Sequence, residues 1–149
     1  MLIKKVRRVK EEGLSVDVSM VSGGNSFVGG IGSEKPPAPE LSEAIEGLKD
    51  HMVEMCELAK KSIIKITSIS FSYHGEVDVQ AVVVTFQKKL TNGNAVITIN
   101  SPMKYVEAVS DSTPKAQIMS EEMADLMATI TSEAAKFVKG VREQTELFR

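Results

Sequence analysis

Apolar and polar positions interleave most densely between Ser62 and Asn100, in two long runs and a shorter one. The first run is Ser62 to Tyr73, rich in isoleucine, serine and aromatic residues. His74-Gly75-Glu76 marks a turn, and Val77 to Leu90 forms the second run, with Val79, Ala81, Val82, Val83, Val84 and Phe86. Thr91-Asn92-Gly93 marks the next turn, before Ala95 to Ile99. β-Branched and aromatic residues at this density suit a pleated, half-buried surface. Asn-Gly between such runs is a strong hairpin signal, because both residues tolerate positive φ. The pattern predicts an antiparallel meander of three strands.

Upstream, Leu2 to Lys10 is short and basic and reads as an edge strand, since lysines on an edge resist unwanted pairing. Glu11-Glu12-Gly13 reads as a turn. Leu14, Val16, Val18 and Met20 alternate with Ser15, Asp17 and Ser19, the period of a strand with one face buried. Ser22-Gly23-Gly24-Asn25 is a turn, and Ser26 to Ile31 is a weaker strand loosened by Gly29 and Gly30. Pro36, Pro37 and Pro39 make Ser33 to Pro39 extended, with Pro39 suited to the first turn of a helix. Leu41, Ala44, Ile45, Leu48, Met52, Met55 and Leu58 then recur at helical spacing, predicting a helix over 39–59 closed by Lys60 and Lys61. After a long connection from Asn100 to Met119, Ser120 is placed to cap a second helix. Its apolar stripe is Met123, Leu126, Met127, Ile130, Ala134, Phe137, Val138 and Val141.

The predicted order is β-β-β-α-β-β-β-α. The fold class is α+β: one domain over 1–149, with an antiparallel sheet of about six strands covered by two amphipathic helices.

Composition narrows the function. The 149 residues are 42% hydrophobic and 26% charged, with no tryptophan and eight methionines. The core is therefore aliphatic, with methionine as adaptable filler. A net charge of −2 gives the whole molecule no global attraction to nucleic acid. The single Cys56 excludes an internal disulfide and fits a reducing compartment. Lys4, Lys5, Arg7 and Arg8 interrupt any apolar N-terminal stretch, and no run approaches the ~20 apolar residues of a membrane span. The expected location is a cytoplasm.

No catalytic or metal constellation emerges. His51 and Cys56 sit five residues apart on one helix and share a face poorly, and a zinc site needs four ligands. Asp17 and Asp78 read as solvated strand residues, and Gly30-Ile31-Gly32 does not spell a phosphate loop. There is no G-x-S-x-G elbow. What remains is a set of cations and rings able to meet a small anion. Lys88 and Lys89 end one strand, and Asn100, Ser101, Lys104 and Tyr105 open the long connection, with Phe71 and Tyr73 towards the same end. Antiparallel pairing places the lysine pair and the Asn100 group at different levels of the sheet, hence in separate places within one subunit. Arg142 lies late in the last helix, and an arginine with an aromatic ring can sandwich a purine.

Several short words carry a resemblance: the Pro-Pro-x-Pro lead-in, Met-Val-Glu-Met-Cys-Glu-Leu58, Ile-Ser-Phe-Ser-Tyr73, Ile-Asn-Ser-Pro102 and Phe-Val-Lys-Gly-Val-Arg142. The chain resembles the type 1 Thoeris anti-defence proteins of tailed bacteriophages across nearly its whole length. The resemblance implies no enzyme and no cofactor. It implies a sponge that sequesters the cyclic ADP-ribose isomer made by TIR proteins, and in some members cyclic oligonucleotides, blunting Thoeris or CBASS-type immunity in an infected bacterial host. It implies self-association as a dimer or hexamer. Carried over by position, Arg142 is the helix arginine, Phe71 or Phe86 the aromatic, and Asn92 or Asn100 the asparagine, with Phe71 and Asn100 preferred. Ser101, Lys104 and Lys88 join them as ligand-binding residues. The alternative is a phage early protein that binds nucleic acid or a host protein through its basic N-terminal run.

Overall fold

The computed structural model describes residues 2–9, 13–22, 25–33 and 38–147, with side chains described over 2–8 and 38–140. The expected turns at Glu11-Glu12 and Gly23-Gly24, the Pro36-Pro37 segment and the side chain of Arg142 lie outside the described residues.

The fold is α+β, with an antiparallel sheet and two helices. Three strands come first: β1 (Leu2–Val9), β2 (Gly13–Ser22) and β3 (Asn25–Ser33). Helix α1 (Pro39–Met55) leads to β4 (Ile64–His74), β5 (Val79–Lys89), β6 (Val96–Asn100) and β7 (Lys104–Tyr105). Helix α2 (Glu121–Leu147) completes the order. The sheet runs β3-β2-β1-β4-β5-β6, and the two-residue β7 continues the β6 side by pairing with β5. The stretch read from sequence as a long loop thus begins with one more short strand. The two meanders join where β1 pairs with β4, Val6 facing Ile69.

Both helices pack on one face of this sheet. Leu41, Ala44, Ile45, Leu48 and Met52 of α1 are buried, as are Met123, Met127, Ile130, Ala134 and Val138 of α2. They meet Ile64, Ile66, Ile69, Phe71, Val82, Val84 and Phe86 in one cluster. Gly47 lets α2 approach α1: a Cβ there would stand 3.2 Å from Leu126 Cδ2.

The strand phase slips in β1, between Ile3 and Lys5, and again in β4. Apolar burial in β4 runs Ile64, Ile66, then Ile69, Phe71, and the register shifts between Ile66 and Ser68. A bulge takes up the odd residue, so both halves keep their isoleucines towards the helices. Thr67 Oγ1 donates to the Thr85 carbonyl across it, at 3.1 Å.

Two boundaries differ from the sequence expectation. Helix α1 stops at Met55 rather than near Ala59, because Glu57 turns left-handed at φ 54°. The Leu58 N–H then donates to the Val53 carbonyl and the Glu57 N–H to Glu54, a Schellman closure without glycine. Lys60 and Lys61 follow the helix instead of closing it. Asp78, expected mid-strand, closes the β4–β5 turn at φ 51°, with Gly75 at φ 77°. In the β5–β6 turn Gly93 takes positive φ, at 81°. The predicted cap on α2 is present, the Met123 N–H donating to Ser120 Oγ at 3.2 Å.

Phe86 is fully buried at the centre of the cluster. Phe86→Ala is expected to cost about 3–5 kcal/mol, measured by urea unfolding; a cost under about 1 kcal/mol would mean the ring is not the packing centre.

Candidate functional site

The structure distributes the predicted site residues over three environments. Phe71 is 5% exposed and Phe86 0%. Both rings are packed between sheet and helices, so neither presents a face to a purine within the subunit. This corrects the expected aromatic partner: the alternation that makes β4 and β5 amphipathic sends these two phenylalanines inward.

Ser101 is also internal, 6% exposed. Its N–H donates to the Val84 carbonyl at 2.8 Å, and its Oγ accepts the Val84 N–H at 2.9 Å. The same hydroxyl lies 3.2 Å from the Pro102 carbonyl, its acceptor. Ser101 therefore substitutes for a ladder partner between β6 and β7, where Pro102 has no N–H to give. It is a structural hydroxyl, not a ligand donor.

Asn100, Lys104, Lys88 and Asn92 remain accessible to differing degrees. Exposed Asn100 accepts a hydrogen bond from Thr85 Oγ1 at 2.7 Å through Oδ1. Half-buried Lys104 donates through Nζ to the Ala116 carbonyl, tethering the long connection. It borders a groove of 630 Å³ shared with His51, Glu54, Met119, Glu121 and Glu122. Lys88 lies on β5 between Ile64 and Ile97, and Asn92 in the exposed β5–β6 turn. Lys104 pairs opposite Val82, six residues from Lys88, or about 20 Å along a strand. The two groups are separate within one subunit. Arg142 lies in α2, its side chain outside the described residues.

A different surface comes together on the face the helices leave open. Residues directly opposite in antiparallel strands point the same way. Val6 and Ile69 face the helices, so Lys5 opposite Ser70 faces away, and so does Arg7 opposite Ser68. Further rows on this face are Ser70–Val83, Lys65–Gln87–Thr98, Thr85–Asn100 and Ser72–Ala81–Tyr105. Its rings are Tyr105 and His74, edge to face with centroids 5.5 Å apart. His74 Nε2 shares a hydrogen bond with Ser72 Oγ at 2.8 Å.

The charge pattern separates the layers. Strands β1, β4, β5, β6 and β7 contain no aspartate or glutamate. They carry Lys4, Lys5, Arg7, Arg8, Lys65, Lys88, Lys89 and Lys104. Helix α1 instead carries Glu40, Glu43, Glu46, Asp50 and Glu54 against Lys49 alone. Strand β2 adds one carboxylate, Asp17, opposite Lys5. A net charge near zero thus hides a mainly basic sheet backed by an acidic helix layer. The signal was present in sequence as the alternation of Ser68, Ser70 and Ser72 with Ile69, Phe71 and Tyr73. Its meaning depends on β1 lying beside β4, which local pattern does not reveal.

An ion pair ties the layers, Arg8 to Glu46 at 2.8 Å, with Lys49 also on Glu46. Partial burial pushes the Glu46 carboxyl up, but hydrogen bonds and charge from Lys49 and Arg8 outweigh it and leave the pKa below its ordinary value. Tyr73 donates its hydroxyl to the Ile3 carbonyl at 2.7 Å, and burial raises its pKa.

Among the described residues no group of three or more His, Cys, Asp and Glu is placed to hold a metal ion, and no helix is long and apolar enough to cross a membrane.

Ser101→Ala is expected to cost about 1–3 kcal/mol by orphaning the buried Val84 N–H, read by chemical denaturation; an unchanged midpoint would refute the ladder role. Because the folded pKa of Glu46 is depressed, its contribution is present above the unfolded pKa and is lost as pH falls through the folded value. Glu46→Gln should therefore melt below the parent at pH 7, the gap closing below the ordinary glutamate value of 4.5. A gap that persists in acid would contradict the pairing. Comparison with family models, with curated proteins and with solved structures gives no match to this chain.

Proposed function

We propose that this protein binds a small anionic nucleotide on the open face of its sheet and holds it without chemical change. The observation that carries this reading is the surplus of cations on that face, where Asp17 of β2, opposite Lys5, is the single carboxylate contributed by the described strands. Lys5, Arg7 and Lys65 stand there among Ser70, Ser72, Thr85, Gln87, Thr98 and Asn100. Ammonium and guanidinium groups attract phosphate, and hydroxyls and amides complete its hydrogen bonds. Those hydroxyls and amides can donate and accept hydrogen bonds to phosphate oxygens. Tyr105 and His74 at one end of the same face supply rings against which a base can lie.

This reading moves the ring contact away from Phe71 and Phe86 while keeping Asn100. The biological role it serves is that of the sequence resemblance: a phage protein that sequesters a TIR-derived cyclic ADP-ribose isomer and so inhibits Thoeris or CBASS-type immunity. A shallow face on one subunit encloses a ligand best when a second subunit covers it, which favours binding in an assembly.

The same row of cations favours a second reading, single-stranded nucleic acid. The two differ in salt dependence, because an oligonucleotide releases one counterion for each phosphate contacted.

The test is calorimetric titration with a cyclic ADP-ribose isomer and, separately, a single-stranded oligonucleotide. The ligand is then recovered by heating and checked by chromatography. The expected result is saturable binding of the cyclic nucleotide and its recovery intact. Lys5→Glu with Lys65→Glu should weaken binding at least tenfold, or about 1.4 kcal/mol. Lys136→Glu, on the helix layer, should leave it unchanged. Degraded ligand, or binding of the oligonucleotide alone with a steep salt slope, would overturn the sponge reading.

A further inference from the structure

We propose that β6 pairs edge to edge with β6 of a second copy of this chain, about a two-fold axis through Thr98. Strand β6 is the outer strand of the sheet, and β5 is its partner on the inner side. Its outer edge therefore presents backbone N–H and C=O groups to whatever lies beside it. Soluble proteins guard such edges with lysine, proline, a bulge or a covering element. Strand β6 is Val-Ile-Thr-Ile-Asn, without charge and rich in β-branched residues. It is exposed along most of its length, Val96 by 49% and Ile97 by 43%. The lysines that could guard this edge, Lys88 and Lys89, stand on β5, one strand inward.

The flanks fix the register. Pro102 follows the strand closely and has no N–H for a ladder, and the turn before Val96 ends it on the other side. Only Val96 to Asn100 is left to pair, and an antiparallel two-fold match of five residues centres on Thr98. Ile97 then stands opposite the partner's Ile99, and Val96 opposite the partner's Asn100. Each contact occurs twice, as a closed two-fold interface requires. No charge lies within the pairing, so no like-charge repulsion opposes it. The occupant is a second copy because the strand is complementary to itself in this register.

The consequence deepens the binding reading without resting on it. Paired in this way, two sheets become one, with both helix layers on the same side. The open faces join at Thr98 and Asn100, so each basic face continues into the other. A ligand larger than one face would touch both subunits.

Two measurements decide it, neither of which uses a ligand. The parent is expected to sediment as a dimer at tens of micromolar, and Ile97→Lys to shift it to monomer, with circular dichroism confirming the fold. Paired antiparallel residues have Cα atoms about 4.5–5.5 Å apart, within the range that a disulfide bridges. Thr98→Cys in a Cys56→Ser background should therefore cross-link into a dimer on mild oxidation, whereas Glu76→Cys in the same background should not. A monomeric parent, or a dimer in which Thr98→Cys fails to cross-link, would overturn the proposal. Loss of nucleotide binding in a protein that still cross-links at position 98 would count against the binding reading alone.

Discussion

Everything in this molecule depends on keeping one face of β4 and β5 under the two helices. Ile64, Ile66, Ile69 and Phe71 on one strand and Val82, Val84 and Phe86 on the next are the floor on which α1 and α2 rest. A strand that slipped by one residue would turn all of them outward. The bulge between Ile66 and Ser68 is the local adjustment that prevents this, since the apolar period of β4 is broken at that point. Fixing the buried face also fixes the other one. Lys5, Lys65, Ser70, Thr85 and Gln87 point away from the helices because their neighbours must point towards them.

That coupling separates the charges. Carboxylates are absent from β1 and from β4 through β7, while α1 is strongly acidic. The Arg8–Glu46 pair joins the two layers at their boundary. The overall charge of −2 conceals this arrangement, because it averages surfaces of opposite sign. On the open face Lys5, Arg7 and Lys65 outnumber the one carboxylate, Asp17 opposite Lys5.

Local sequence was legible where local chemistry decides. The cap at Ser120, the proline-led start of α1 and the strand runs that form β2 and β5 were all readable. Helix α1's end was not, because Glu57 adopts a left-handed turn that glycine or asparagine usually signals. Strand β7 was missed because two residues carry no period, and Ser101 looked like a free hydroxyl until its bonds to Val84 were seen. Phe71 and Phe86 illustrate a different failure. Their phase within the strands placed them in the core, yet the need for a ring beside an arginine drew them into the site. The open face was illegible for a further reason: Lys5 and Ser70 are distant in sequence and meet only because β1 pairs with β4.

The central claim is that the open sheet face, rather than the groove near Lys104 or the helix layer, meets the ligand. Backbone amide shifts recorded by NMR during titration with a cyclic ADP-ribose isomer test it most directly. The account predicts saturable shifts concentrated at Lys5, Lys65, Ser70, Thr85, Gln87 and Thr98, with α1 and the first turns of α2 unmoved. Shifts concentrated instead at His51, Glu54 and Glu121, or no saturable shift at all, would contradict it.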